Sequence, residues 1–209
     1  MITKILKPFV PQIILNRLKK QRDKKQFKEW QKGIFAGSPP HIVKQLAIAD
    51  YQLKYGSTIL VETGTYLGDM IEAQKTRFNK IISIELGVTL YNKAKRRFRN
   101  DKNITIVQGD SGKVLPAIMK DLNEPAIFWL DGHYSAGITS KGDKECPIFE
   151  ELDAIFKNNE FNHIILIDDA RCFVGEGDYP AIEKLTEYVQ SKNEKYQVEV
   201  KDDIIRYVI

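Results

Sequence analysis

From residue 58 to residue 167 the chain repeats one pattern, a short run of β-branched and apolar residues followed by an amphipathic stretch, at intervals of about 20 to 35 residues. The runs are Thr58 to Glu62, Ile81 to Glu85, Ile104 to Gln108, Ala126 to Leu130 and Ile164 to Ile167. Between them lie residues with helical spacing, such as Leu90, Ala94 and Phe98, or Ile148, Leu152, Ile155 and Phe156. Such alternation predicts βαβ units. Uninterrupted apolar runs like Ile164-Ile165-Leu166-Ile167 suit strands covered on both faces, so the expected architecture is α/β, a doubly wound and mostly parallel sheet. Two later segments, Tyr196 to Val200 and Ile204 to Ile209, are joined by Lys201-Asp202-Asp203, which predicts a hairpin and one late antiparallel strand.

At 209 residues and 24.1 kDa, one core of this size fits a single full domain. No run approaches the roughly 20 apolar residues of a spanning helix. The short apolar stretches near the start are cut by Pro8 and Pro11 and lack a small-residue cleavage site, so neither a membrane span nor a cleaved leader is expected. Cys146 and Cys172 make no disulfide framework and no zinc spacing, and a reducing cytoplasm is the default location. The charge is unevenly placed. Residues 1–32 hold ten Lys or Arg against Asp23 and Glu29, a net +8, whereas the rest of the chain is acidic by four. The Gly37-Ser38-Pro39-Pro40 breaker then separates a basic, helical extension, residues 1–36, from the domain at 37–209, which begins with a helix from His41 to Tyr55. A basic arm can meet an anionic membrane surface, at the inner face of the membrane for a cytoplasmic protein, or an acidic partner or nucleic acid. Equally, it can pack as a solvated helical face on its own domain or on the second subunit of a homodimer.

Ligands of open α/β sheets bind beyond the carboxyl ends of the strands. Those ends are acidic here: Glu62 with the loop Thr63-Gly64-Thr65-Tyr66-Leu67-Gly68, then Glu85, then Gly109-Asp110-Ser111, then Asp131-Gly132-His133, then Asp168-Asp169. A dinucleotide loop needs a glycine where Tyr66 stands, and Glu62, two residues ahead of Gly64, would repel a pyrophosphate. A cofactor with a cationic amino acid end and no phosphate suits the loop. S-adenosylmethionine is such a molecule, with Glu62 toward its amino acid portion, the Gly64 to Gly68 turn under its ribose, Glu85 on the ribose hydroxyls, and Asp110 and Ser111 within reach of the adenine.

The segment Glu62 to Gly68 resembles the ExGxYxG loop of metal-dependent catechol O-methyltransferases. Leu130-Asp131-Gly132-His133-Tyr134 followed by Leu166-Ile167-Asp168-Asp169 resembles the O-methyltransferases of macrolide and aminocoumarin sugars and their relatives in surface-polysaccharide clusters. Both are class I S-adenosylmethionine-dependent methyltransferases. The resemblance covers roughly residues 57–209 and implies a Rossmann-like sheet of seven strands with the last antiparallel. It also implies a divalent cation on Asp131, Asp168 and Asp169, with Asp131 close to the cofactor as well. An all-oxygen set favours Mg²⁺, Mn²⁺ or Ca²⁺, and three converging carboxylates need a cation or a proton to offset their repulsion. The other reading makes Asp169 a helix cap and Asp168 a cofactor-side polar residue with no metal.

His133 stands where the sugar-modifying relatives carry their proposed base. It is the candidate catalytic residue, its alternative being to fix the turn or bind substrate. Catechol enzymes have a lysine where this chain has Tyr134, so their base does not transfer. The polar stretch Ser135 to Pro147 is long enough to act as a lid, with Lys141, Asp143 and Lys144 placed to meet a hydroxylated acceptor. His41, His163 and Trp129 are expected to be structural. The expected activity is methyl transfer to a hydroxyl of a sugar, glycan or other small molecule. The rival readings are an RNA methyltransferase, disfavoured by the arm's few aromatics, and a non-catalytic binding protein that keeps the fold.

Overall fold

A computed structural model describes residues 12–34, 37–132, 146–157 and 160–209. The chain divides into two compact units, residues 1–46 and 47–209. Gly37, the expected boundary, precedes helix α2 (His41–Tyr55), whereas the division falls inside that helix. The first unit contains helix α1 (Gln12–Gln31). Gly33 stops it with φ 67°, donating its N–H to Trp30 O at 2.9 Å while Ile34 N–H reaches Glu29 O at 3.1 Å, the paired closure that a left-handed glycine makes possible.

The second unit is built on seven strands, β1 (Ile59–Thr63), β2 (Lys80–Glu85), β3 (Ile104–Gln108), β4 (Ala126–Leu130), β5 (Ile164–Ile167), β6 (Gln197–Lys201) and β7 (Ile204–Val208). They lie in the order β3-β2-β1-β4-β5-β7-β6. Strands β1 to β5 pair in parallel, and β7 runs antiparallel to both β5 and β6. The sheet is therefore the mostly parallel, doubly wound one expected, with the antiparallel strand inserted as the late hairpin required. Asp202 and Asp203 at the hairpin turn both have positive φ, 54° and 62°, which matches the twist of a two-residue hairpin.

Alternate residues of each strand serve opposite faces. Val61, Ile84, Phe128 and Ile165 pack with Leu115 of α5 (Ser111–Lys120), Leu152 of α6 (Ile148–Lys157) and Leu185 of α7 (Ile182–Lys192). Leu60, Ile81, Trp129 and Leu166 pack with Ile48 of α2, Ile71 of α3 (Asp69–Gln74) and Phe98, which caps α4 (Val88–Arg97). Coverage on both sides is why these strands read as continuous apolar runs. His163 and Trp129 are buried as expected, and His163 Nδ1 accepts the Ala126 N–H at 3.2 Å. Burial lowers the His163 pKa to about 4. The strand order reverses between β1 and β4, and the crevice at that switch point is where such sheets take ligands.

Candidate active site

Two loops meet at the switch point. Gly64 follows β1 with φ 85°, and a Cβ there would lie 2.2 Å from the backbone oxygen of Asp131, which follows β4. Only glycine permits that approach. The loop is tied down at both ends: Gly64 and Thr65 donate to Ile84 O at 2.9 and 3.2 Å, and Gly68 donates to Thr65 O at 2.8 Å. Gly68 has φ 76° and a Cβ there would press on the Phe98 ring at 2.6 Å, while Arg97 donates to Leu67 O at 2.5 Å. Between these anchors Tyr66 sits at φ 48° and is about half exposed, so it keeps a glycine-like backbone while carrying a large side chain.

Glu85 is held by that same loop. Its Oε2 accepts the N–H of Tyr66 and its Oε1 the N–H of Gly87, both at 2.8 Å. Burial raises its pKa, and the two N–H groups work against the rise by favouring the ionised form. A carboxylate oriented through both oxygens is a preorganised acceptor for a pair of hydroxyls.

Glu62 lies within β1, one residue before its end. The parallel register sets it beside Ser83 of β2, and Ser83 Oγ donates to Glu62 Oε2 at 2.5 Å and shares a 2.6 Å bond with Thr65 Oγ1. The carboxyl is only 2% exposed, and burial, opposed by the Ser83 hydroxyl and reinforced by Glu85, pushes its pKa up to about 8. It thus supports the glycine loop from below. Ser83 interrupts the apolar run Ile81-Ile82-Ser83-Ile84, and a buried hydroxyl in such a run is a sequence signal of a polar partner on the next strand.

Asp110 follows β3, whose Gln108 is in register with Glu85, so it belongs to the same edge. Its carboxylate caps α5 by accepting the Gly112 N–H at 3.1 Å, and Ser111 begins that helix with its side chain buried.

Across the switch point, the carboxylates of Asp131, Asp168 and Asp169 converge, with ligand atoms all within 4.8 Å of one another. Backbone and turn chemistry set the three. Asp131 N–H reaches both the backbone oxygen and Oγ1 of Thr63, at 3.1 and 3.2 Å. Asp168 Oδ1 accepts the N–H of Asp169 at 2.8 Å, and Asp169 has a left-handed φ of 55°. Oxygens on opposite sides of a Mg²⁺ or Ca²⁺ lie about 4 to 5 Å apart, so the separations and the all-oxygen chemistry fit such an ion.

Arg171 and Asp203 complete this edge and were not anticipated. Arg171 Nη1 contacts Asp169 Oδ1 at 2.9 Å and also Asp203 Oδ2, while the Arg171 N–H reaches Asp203 Oδ1 at 2.9 Å. Glu151 of α6 also escaped the sequence reading. It is buried, and its Oε1 would stand 2.8 Å from a Cβ at Gly132. Its place among Ile148, Leu152 and Ile155 on the core side of α6 was the available signal. His133 and the lid residues 135–145 lie outside the described residues.

No family model matches this chain, and no curated protein matches it in sequence. Solved structures do. The O-methyltransferase TomG of Streptomyces achromogenes, involved in tomaymycin synthesis and bound to S-adenosylmethionine, superposes with a TM-score of 0.58 at 14% identity, covering 90% of this chain and 87% of that one. The fold is that of class I methyltransferases. The methyltransferase PaMTH1 of Podospora anserina, bound to S-adenosylhomocysteine, has a TM-score of 0.54 at 13% identity and covers 95% and 97% of the two chains. The N-methyltransferase NodS of Bradyrhizobium japonicum gives 0.54 at 13% identity, over 80% and 95%.

Proposed function

We propose that the chain is an S-adenosylmethionine-dependent O-methyltransferase acting on a hydroxyl of a sugar, glycan or other small molecule, assisted by a divalent cation. The observation that carries this reading is the pairing, across one switch point, of an oriented Glu85 under a glycine loop with the acidic trio at the next two strand ends. In this reading Glu85 receives the ribose hydroxyls, the Gly64 to Gly68 turn lies under the ribose and the methionine portion, and Asp110 with Ser111 borders the adenine. Glu62 acts through Ser83 and Thr65 by holding the loop. Methyl transfer is an in-line displacement, so the chain's main task is to align donor and acceptor.

Asp131, Asp168 and Asp169 would hold the cation. When bound, it would lower the pKa of an acceptor hydroxyl and orient it. His133, two residues beyond Asp131 in sequence, is assigned the acceptor proton.

Calorimetry tests the cofactor. The chain should bind S-adenosylmethionine or S-adenosylhomocysteine, and Glu85→Ala should weaken binding by about 10-fold or more, since hydrogen bonds to a charged group contribute about 1.5–3 kcal/mol. Equal affinity of the two proteins, or preference for a nicotinamide dinucleotide, would reject the assignment. The metal is tested without an acceptor. Titration of Mn²⁺ followed by electron paramagnetic resonance should show one bound ion in the wild type and none at comparable concentrations in Asp168→Asn, with cofactor affinity retained. An unbound Mn²⁺ signal in the wild type would remove the cation from the mechanism and leave the methyl-transfer reading standing.

A further inference from the structure

Helix α1 and the turn that closes it carry a long basic run whose charge the site described above does not use. Residues 17–32 hold eight Lys or Arg against two acids, and the 20-residue helix is about 30 Å long. Lys24, Lys25, Lys28 and Lys32 recur at helical spacing, so they share a stripe, and together they border a shallow groove of about 580 Å³ on the first unit. All four are exposed. The acid on the same stripe, Glu29, sits 3.8 Å from Lys25, whose side chain is 78% exposed, and at that exposure the pair contributes little neutralisation.

Like charges three and four residues apart on a helix repel one another. Four of them with the single acid Glu29 beside them leave an excess of positive charge whose repulsion an anionic partner relieves. The residue type and the geometry narrow the partner. Lysines act as point charges without the planar fork that reads individual phosphates, so the stripe suits a diffuse anionic plane more than a patterned one. In sequence, the apolar residues Ile2, Ile5, Leu6, Phe9 and Val10 precede α1. An apolar lead has a place at the boundary of headgroups and acyl chains and none along a phosphodiester backbone.

We propose that the stripe of Lys24, Lys25 and Lys28 on α1, continued by Lys32 in the turn that closes the helix, is a docking surface for an anionic lipid bilayer. Each lysine near such a surface raises partitioning by about fivefold at most, the equivalent of about 1 kcal/mol, so the stripe as a whole gives up to a few hundredfold.

The test uses the full chain in flotation with vesicles of phosphatidylcholine alone or mixed with phosphatidylserine. The wild type should float with the mixed vesicles only. Binding should collapse as salt rises from about 0.1 M to 1 M and the Debye length falls from about 10 to 3 Å. The quadruple Lys→Glu variant should lose partitioning by about a hundredfold, with unchanged circular dichroism and S-adenosylmethionine affinity. The quadruple Lys→Gln variant should fall between the two and supplies the comparison if charge reversal disturbs folding. Equal flotation of wild type and variants would overturn the proposal. So would a change from dimer to monomer in the variants without any vesicle binding by the wild type, which would assign α1 to subunit packing. Tighter binding of the wild type to RNA than to mixed vesicles would assign the stripe to nucleic acid.

Discussion

Gly64→Ala should abolish detectable S-adenosylmethionine binding and lower the thermal midpoint by about 6–20 °C. Two penalties coincide at this residue. The backbone has φ 85°, which an L side chain rarely adopts, and the added methyl would stand 2.2 Å from the Asp131 carbonyl oxygen. Neither partner is a flexible side chain, so relief requires moving the β1 loop away from the β4 end. That displacement breaks the bonds from Gly64 and Thr65 to Ile84 O and shifts the Tyr66 N–H off Glu85. A cost of about 3–5 kcal/mol belongs with strain plus overlap in a closed site, and each kcal/mol moves the midpoint of a chain this size by about 2–4 °C. Gly56→Ala is the control. Its φ is 67° but a Cβ there meets nothing within 4 Å, so it should cost about 1 kcal/mol and leave cofactor affinity alone. Differential scanning fluorimetry with and without S-adenosylhomocysteine measures both effects. A Gly64→Ala protein that melts and binds like the wild type would show that the two loops do not meet as described.

Glu62→Gln should stabilise the cofactor-free protein, and the gain should grow with pH. The folded-state pKa of Glu62 is raised to about 8 from an ordinary 4.5. A carboxyl whose pKa is raised by folding keeps its proton in the native state while the unfolded chain releases it, so the wild type loses stability as pH climbs from about 4.5 to about 8. Glutamine has no proton to lose and can still accept the Ser83 hydroxyl. The variant should therefore match the wild type near pH 4.5 and exceed it above pH 8 by about 3–5 kcal/mol, since each tenfold change in proton affinity is worth about 1.4 kcal/mol. Urea unfolding at pH 5 and pH 9 gives the comparison. A difference independent of pH would mean that Glu62 ionises normally in the folded chain.

The strands were legible because their signals are local. Ile104 to Gln108, Ala126 to Leu130 and Ile164 to Ile167 are the observed β3, β4 and β5, each a β-rich run ended by a polar or glycine turn. Strand β1 extends to Thr63, one residue further than expected, since Thr63 still pairs with Ile84 and Leu130. The acids at the strand ends could be found for the same reason. Their partners could not, because each contact depends on which strand lies beside which and in what register. Ser83 meets Glu62 across 21 residues of chain, and Arg171 meets Asp203 across 32. Asp110 shows the opposite failing: its cap on Gly112 is local and readable, yet the strand-end pattern points only to the cofactor.

The hairpin of β6 and β7 has a bearing on how the protein matures during synthesis. Strand β5, which delivers Asp168 and Asp169, has β4 as one neighbour and β7 as the other, and β7 is made almost forty residues later. The turn after β5 is fastened to Asp203 by the N–H groups of Ala170 and Arg171. The hydrogen bonds that hold the glycine loop, Glu85 and the Asp110 cap all join residues between 64 and 112, so every partner in them is synthesised well before this clasp. The turn that carries Asp168 and Asp169 gains its clasp only once residue 203 has been made, so the two halves of the site draw their partners from stretches of the polypeptide with separate birth times.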